Sequence, residues 1–136
     1  MRICVIDGQG GGIGSAIIKR LKEEFLEKAE VVALGTNSAA TAAMMRAKAN
    51  RGATGENAIV RTAPSADVII GPLAILMAHS MMGEVTPRMA AAIGGSPAQK
   101  FLLPLVQEKV EVIGTLTEPL PHLVEKVIVR LRPLIK

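Results

Sequence analysis

The chain has 136 residues, of which 49% are hydrophobic and 21% are charged, and its formal net charge is +4. This composition excludes a disordered chain and predicts a single globular domain over residues 1–136, long enough to bury a core. Phe25 and Phe101 are the two aromatic residues. Stacking platforms for single-stranded bases are therefore nearly absent, and nucleic acid is not an expected partner.

The first predicted elements are a strand, a glycine turn and a helix. Residues 2–6 form a short apolar run, and glycines follow from Gly8 onward. From about Gly12 to Leu26 apolar residues recur at helical spacing, with charged residues between them. Such a turn leaves the first N–H groups of the helix unpaired, and unpaired N–H groups at a helix start bind anions, usually phosphate. The N-terminal segment therefore predicts a small phosphate-bearing ligand.

A second strand is predicted from Glu30 to Leu34, followed by the polar segment Gly35–Ser38. An alanine- and methionine-rich helix then runs from about Ala39 to Ala49. Asn37 is expected to cap this helix, because Asn is a preferred residue at that position. A cap at the end of a strand also borders the place where ligands bind in a parallel sheet.

The middle of the chain is predicted as a loop, a helix, a buried strand and a further helix. Residues 50–57 form a loop by composition. Residues 58–63 fit either a short strand or a short helix capped by Thr54, and we favour the helix. Residues 67–71 form a plain buried strand, and residues 72–82 are predicted to be helical, with a proline in the first turn.

The last third of the chain contains two predicted helices and two predicted strands. The pair Thr86–Pro87 starts one helix, with Thr86 as the N-cap, and residues 94–97 end it. Residues 100–104 and 110–114 are strand candidates. An apolar stripe at helical spacing marks a final helix over residues 121–131.

Strands thus alternate with helices, and the strands are continuously apolar. This pattern is typical of a parallel sheet that is covered on both faces. The predicted fold class is α/β: a Rossmann-like, doubly wound, mostly parallel sheet with helices on both faces.

The glycine turn has the spacing Gly8-x-x-x-Gly12-Ile13-Gly14. This spacing resembles the cofactor turn of short-chain dehydrogenases. The resemblance implies that Gly8 permits a tight turn, Gly12 lets a phosphate approach the backbone, and Gly14 lets helix and sheet pack closely. The implied cofactor is NADP or NAD, or another nucleotide. The alternative is that the glycines serve packing only.

Two departures limit what this resemblance implies. Short-chain dehydrogenases use a catalytic tyrosine, and this sequence has no Tyr, which excludes their chemistry. NAD sites usually have an acid at the end of the second strand to bind the ribose hydroxyls. Thr36, Asn37 and Ser38 stand there instead, so NADP or a mononucleotide is at least as plausible as NAD.

Polar residues and glycines at the expected strand ends and loops supply the candidate site residues. The cofactor-binding candidates are Asp7, Gly8, Gln9, Gly10, Gly11, Gly12, Ile13, Gly14, Thr36, Asn37, Asn57 and Gly71. Asp7 fits either of two roles: stabilising the glycine turn, or contacting ligand hydroxyls or a metal ion.

Glu56 and Glu84 are the candidate catalytic acid–base residues, because both lie in glycine-containing loops. Their structural alternatives are a capping arrangement around Thr54 and an exposed acid before a helix. His79, His122 and Cys4 are the only soft ligands, so no metal site is expected.

The two alanine- and methionine-rich segments, residues 39–49 and 73–82, are apolar nearly all round and predict a homo-oligomer. The apolar run 68–82 is too short to span a bilayer. A lone cysteine, Cys4, and the absence of a secretory signal pattern fit a cytoplasmic protein.

At full length the chain resembles a bacterial family of uncharacterised proteins, a domain-of-unknown-function family. The residues that carry the resemblance are Ile6–Gly14, Leu34–Asn37, Gly52–Ala58, Ala66–Pro72 and Gly83–Pro87. The resemblance implies a Rossmann-like domain and no particular activity. Because of the glycine turn after the first strand, we favour a nucleotide- or dinucleotide-binding protein. The alternatives are an enzyme acting on a phosphorylated or nucleotide substrate and a non-catalytic oligomeric sensor or assembly protein.

Overall fold

The computed structural model describes residues 1–106 and 108–136. Strands and helices alternate along most of this part of the chain, and two short 3-10 helices, Ala63–Ser65 and Leu73–Leu76, flank the fourth strand. The elements are β1 (Arg2–Asp7), α1 (Gly12–Phe25), β2 (Glu30–Gly35), α2 (Ser38–Arg46), β3 (Arg51–Thr54), α3 (Glu56–Thr62), β4 (Val68–Pro72), α4 (Pro87–Gly94), β5 (Gln99–Leu103) and α5 (Leu120–Leu131).

The five strands form one sheet in the order β3-β2-β1-β4-β5, and each neighbouring pair is parallel. In the middle of the sheet Val5 lies between Ala33 of β2 and Ile70 of β4. The chain winds outward from β1 through β2 to β3, then returns to the other side of β1. This order is that of a doubly wound, Rossmann-like sheet, and it confirms the predicted fold class.

The hydrophobic core is divided between the two faces of the sheet. Ile3 and Val5 of β1 pack with residues of α1, α2 and α5, whereas Cys4 and Ile6 pack with residues of α3 and α4. Because successive strand residues point to opposite faces, a strand covered on both sides must be apolar throughout. Burial also raises the pKa of the Cys4 thiol to about 11, so Cys4 is a core residue and not a reactive thiol.

The prediction that residues 50–57 form a loop is wrong, because β3 lies within this range. Arg51 pairs with Val32 and Thr54 with Gly35, at the edge of the sheet. The residues of β3 have little apolar character, and main-chain pairing with β2 holds this strand in place. Helix α3 confirms the preference for a helix over residues 58–63, but its N-cap is Gly55 and not Thr54.

The prediction of a helix over residues 72–82 is also wrong. A single 3-10 helix is followed by turns, with left-handed backbone at His79, Met81 and Met82. A continuous α-helix cannot contain such residues. Ala74 and Met81 are buried against the core nonetheless, whereas Met82 is 97% exposed, so the segment buries only part of its apolar side chains.

Residues 110–114 do not form the predicted strand. Val110 and Ile113 are exposed, and β5 is the last strand of the sheet on that side. Helix α2 ends at Arg46 and not near Ala49, because Lys48 has a left-handed backbone. Of the two segments on which the expected homo-oligomer rests, only the first is an α-helix, and the homo-oligomer stays a prediction.

Candidate functional site

A cavity of ≈ 360 Å³ opens where β1 and β4 end. The winding of the sheet reverses between these two strands, and in doubly wound sheets ligands bind in the crevice formed there. The cavity is lined by the glycine turn, the segments after β4 and β5, and one methionine: Asp7, Gly8, Gln9, Gly10, Gly11, Gly12, Ile13, Pro72, Ala74, Met81, Leu105, Val106 and Glu108.

The glycines of the turn fall into two groups according to the space beside each Cα. A Cβ at Gly8 would meet Thr36, Met81 and Glu84, and one at Gly14 would meet Met44 and Asp7. Gly11 has a φ of +75°, and a Cβ there would meet the backbone of Ala40. These three glycines are required for close packing or for the backbone conformation.

Gly10 and Gly12 form the second group, because a Cβ at either position would meet none of the described residues within 4 Å. The space beside their backbone is open. In the described part of the chain, the N–H groups of Gly10 and Gly12 have no hydrogen-bond acceptor. Two backbone donors at the edge of the cavity are therefore free to bind a ligand.

Asp7 already satisfies N–H groups at both ends of the turn. Its carboxylate accepts hydrogen bonds from the N–H groups of Gly8 (2.8 Å) and Gly14 (2.7 Å), and Ile13 donates to it as well. The expectation that the whole first turn of α1 is unpaired is thus wrong for Ile13 and Gly14. Asp7 stabilises the glycine turn, which is the first of its two expected roles.

Asp7 is only 3% exposed. Burial raises the pKa of Asp7 above its ordinary value, and the hydrogen bonds from Gly14, Gly8 and Ile13 offset this only in part. The charge of Glu84 acts in the same direction as burial.

The carboxylate of Glu84 lies at the ends of β1 and β2. Its Oε1 accepts hydrogen bonds from the N–H of Gln9 (2.8 Å), the hydroxyl of Thr36 (2.7 Å) and the side-chain amide of Asn37 (2.8 Å). Asn37 also donates to the carbonyl of Gln9 at 2.9 Å and caps α2, as expected. The structure thus brings together three predicted cofactor-binding residues, Gln9, Thr36 and Asn37. The residue that joins them is the predicted catalytic acid Glu84, which comes from a distant loop.

Partial burial raises the pKa of Glu84, but the hydrogen bonds from Thr36, Gln9 and Asn37 outweigh burial, so the net pKa lies below its ordinary value. The carboxylate is ionised at neutral pH, and an ionised carboxylate with a lowered pKa is a poor general acid.

Glu56 occupies a different place, at the start of α3. It accepts a hydrogen bond from the hydroxyl of Thr86 at 2.6 Å and lies 3.6 Å from the guanidinium of Arg88. Thr86 in turn accepts from the N–H of Met89 at 3.1 Å, which confirms Thr86 as the N-cap of α4. Glu56 therefore joins the starts of two helices and is not among the residues that line the cavity.

The remaining candidates lie outside the cavity. Asn57 is exposed on the first turn of α3. Gly71 is buried within β4, where a Cβ would collide with the carbonyl oxygen of Ile6. Three lining residues were not predicted from the sequence, although their position just after a predicted strand could have indicated them: Leu105, Val106 and Glu108. Nothing in the sequence pattern indicated that Met81 would line the cavity, because only the folding of its loop brings it to the glycine turn.

The charged side chains in the lining of the cavity are acidic. In the described part of the chain no Lys or Arg lines it, whereas Asp7 and Glu108 do. Glu108 accepts a hydrogen bond from the N–H of Met81 at 2.9 Å, which joins two walls of the cavity. A larger cleft of ≈ 520 Å³ between β5 and α5 contains none of the predicted site residues.

Among residues 1–106 and 108–136, no group of three or more His, Cys, Asp and Glu side chains is placed to hold a metal ion. Within the same residues, every helix is too short or too polar to cross a membrane.

Comparison with known protein families gives a match over residues 2–136, to a domain of unknown function (DUF3842). This match agrees with the expected full-length resemblance to an uncharacterised family. No curated protein and no solved structure matches the chain.

Proposed function

We propose that this chain, which belongs to the DUF3842 family, a domain of unknown function, binds a nucleotide through the Gly10–Gly12 part of the glycine turn. The observation that carries this proposal is the pair of unpaired N–H groups at Gly10 and Gly12. Both glycines line the ≈ 360 Å³ cavity at the reversal point of the sheet, and none of the described residues would lie within 4 Å of a Cβ at either position. Backbone N–H groups at the start of a helix are suited to phosphate oxygens.

The electrostatics of the cavity restrict the charge of the ligand. Asp7 and Glu108 border the cavity, and none of its described lining residues is Lys or Arg. A site of neutral donors beside carboxylates favours a monophosphate, or the pyrophosphate diester of a dinucleotide, over a triphosphate. NAD and NADP are therefore the first cofactors to test, together with nucleoside monophosphates.

The apolar part of the lining is suited to the rest of such a ligand. Pro72, Ala74 and Met81 form one side, and Leu105 and Val106 form another. Ligand sites typically combine an apolar lining with a few polar groups, in cavities of roughly 300–1,000 Å³. The proposal gives no acid–base role to Glu56, which is not among the lining residues, or to Glu84, whose Oε1 is held by three hydrogen bonds.

The proposal is tested by thermal unfolding of the purified protein with NADH, NADPH, AMP, GMP, ATP and coenzyme A, each followed by calorimetric titration. A ligand at about 100 times its dissociation constant stabilises the folded state by about 2.7 kcal/mol. Gly12→Val should abolish the shift without unfolding the protein, because the added side chain enters open space.

Gly94→Val is the matched control. An added Cβ at Gly94 meets only Leu76, at an ordinary 3.8 Å, and this glycine is far along the chain, at the end of α4. The control variant should bind like the wild type. A wild type that none of these nucleotides stabilises, or a folded Gly12→Val variant with unchanged affinity, would overturn the proposal.

A further inference from the structure

The end of β2 carries no acid of its own, yet an acid is present there in the folded chain. Oε1 of Glu84 accepts three hydrogen bonds, two of them from Thr36 and Asn37, which directly follow β2. Glu84 lies 48 positions after Thr36 and 47 positions after Asn37 in the sequence.

The loop that delivers Glu84 has an unusual backbone. His79, Met81 and Met82 have φ values of 69°, 56° and 57°, and Gly83 has a φ of 91°. Non-glycine residues in this conformation are strained, and such strain persists only where the surrounding structure holds it. The hydrogen bonds to Glu84 hold one end of the loop, and the bond from Met81 to Glu108 holds it at the cavity.

Glu84 lies directly beside the proposed phosphate site. It binds the N–H of Gln9, the neighbour of Gly10, and a Cβ at Gly8 would lie 2.9 Å from its Oε1. In the described part of the chain its second oxygen, Oε2, has no hydrogen-bond partner. A half-buried carboxylate with one uncommitted oxygen is an acceptor for a ligand hydroxyl and repels a ligand phosphate.

We propose that Glu84 selects the sugar of the bound nucleotide, by accepting a hydrogen bond from a free ribose hydroxyl and excluding a ribose that carries a second phosphate. This inference rests on the proposed nucleotide binding and makes it more specific. It reverses the sequence-based expectation that NADP is at least as plausible as NAD, because that expectation depended on the absence of a carboxylate after β2. The lowered pKa of Glu84 supports the inference, since the group is charged at neutral pH.

The test compares two pairs of ligands whose members differ only in a 2′-phosphate: NADH with NADPH, and AMP with adenosine 2′,5′-bisphosphate. Dissociation constants are measured calorimetrically for the wild type and for Glu84→Gln. The wild type should bind the member without the 2′-phosphate at least about tenfold more tightly, because juxtaposed like charges are strongly unfavourable. Glu84→Gln should reduce this preference about tenfold, mainly by tightening binding of the 2′-phosphorylated member.

Glu108→Gln is the matched control, because it removes a second carboxylate at the cavity that has no contact with Thr36 or Asn37 in the described structure. It should change the affinity for both members of a pair by the same factor and leave the preference as in the wild type. Circular dichroism and thermal unfolding verify that each variant is folded.

The outcomes separate the two proposals. Absence of binding by all four ligands to the wild type overturns nucleotide binding and this inference with it. Binding with a preference that Glu84→Gln leaves unchanged, or a wild-type preference for the 2′-phosphorylated member, overturns the inference alone. If Glu84→Gln does not fold, the wild-type preference is measured from about 0.01 M to about 1 M KCl; it should shrink as the charges are screened, and a constant preference overturns the inference.

Discussion

The carboxylate of Asp7, at the end of β1, accepts a hydrogen bond of 2.7 Å from the N–H of Gly14, in the first turn of α1. The last residue of a strand thereby caps the helix that follows it. Because Asp7 pairs with the N–H groups of Gly8 and Gly14, the unpaired N–H groups in the described part of the turn are those of Gly10 and Gly12. Asp7 thus decides which part of the glycine turn is open to a ligand.

Replacing Asp7 with asparagine should destabilise the fold. An amide has one acceptor oxygen, so its NH₂ group would face one of the two N–H groups now bound to the carboxylate. An unsatisfied buried donor costs about 1–3 kcal/mol, and Asp7→Asn should lower the free energy of unfolding in urea by that amount.

Asp67→Asn is the control, because Asp67 is exposed and accepts one N–H bond, from Arg2. Asp67→Asn should change the free energy of unfolding by no more than about 0.5 kcal/mol, as is usual for surface positions. Equal losses for the two variants would contradict a special role for Asp7.

Gly8→Ala should be far more harmful than Gly12→Ala. A Cβ at Gly8 collides with Thr36, Met81 and Glu84, whereas one at Gly12 meets nothing within 4 Å. Overpacking of this kind costs about 1–3 kcal/mol, while alanine in a compatible conformation is neutral or stabilises by up to about 1 kcal/mol. Denaturant unfolding of both variants measures the difference; similar stabilities would show that the Glu84 loop moves away freely.

The stability that Glu84 contributes should depend on pH in the acid range. Its pKa in the folded state lies below the ordinary value of 4.5, so the unfolded chain binds more protons and stability rises with pH. The difference in unfolding free energy between the wild type and Glu84→Gln should be constant above that value. It should shrink as the pH falls through the lowered pKa.

Asp7, whose raised pKa has the opposite effect, is present in both proteins, so the part of its contribution that comes from burial cancels in the difference and the part that comes from the charge of Glu84 does not. Between its ordinary value and its folded value, Asp7 makes stability fall as the pH rises. A difference that stays constant down to the acid transition would contradict the hydrogen-bonded role of Glu84.

Thr86 and Glu56 should be energetically coupled. Thr86→Ala removes the N-cap of α4 and should cost about 0.5–2 kcal/mol. The same hydroxyl donates to Glu56 at 2.6 Å, so part of this loss should disappear when Glu56 is already alanine. A double-mutant cycle in urea measures the coupling, expected at about 0.5 kcal/mol or more for residues in contact; additive losses would show that the bond contributes nothing to stability.

Local sequence pattern was sufficient for much of the fold. The apolar runs at β1, β2 and β4 predicted strands buried on both faces, and the turn at Gly8–Gly14 marked the start of α1 to the residue. The hydrophobic pattern did not predict β3, because an edge strand is held by main-chain pairing and the four residues of β3 are small or polar. It also failed at residues 72–82, where apolar composition fitted a helix but the backbone at His79 and Met81 is left-handed.

The candidate site, like the fold, was predicted from the sequence only in part. The glycine turn and the residues after β2 could be located from the sequence, because both are fixed by short-range chain geometry. Which glycines are open could not, since that depends on neighbours such as Met44 and Met81 that approach from elsewhere in the chain. The acid at the end of β2 was likewise invisible, because Glu84 reaches Thr36 across 48 positions of sequence.

The sequence by itself determined the alternation of strands and helices and the position of the glycine turn, because hydrophobic period and glycine content act over a few residues. Only the tertiary structure decided that Asp7 occupies the helix start, that Gly10 and Gly12 remain open, and that Glu84 supplies the charge beside them. These features depend on hydrogen bonds and close contacts between segments that meet only when the sheet has formed.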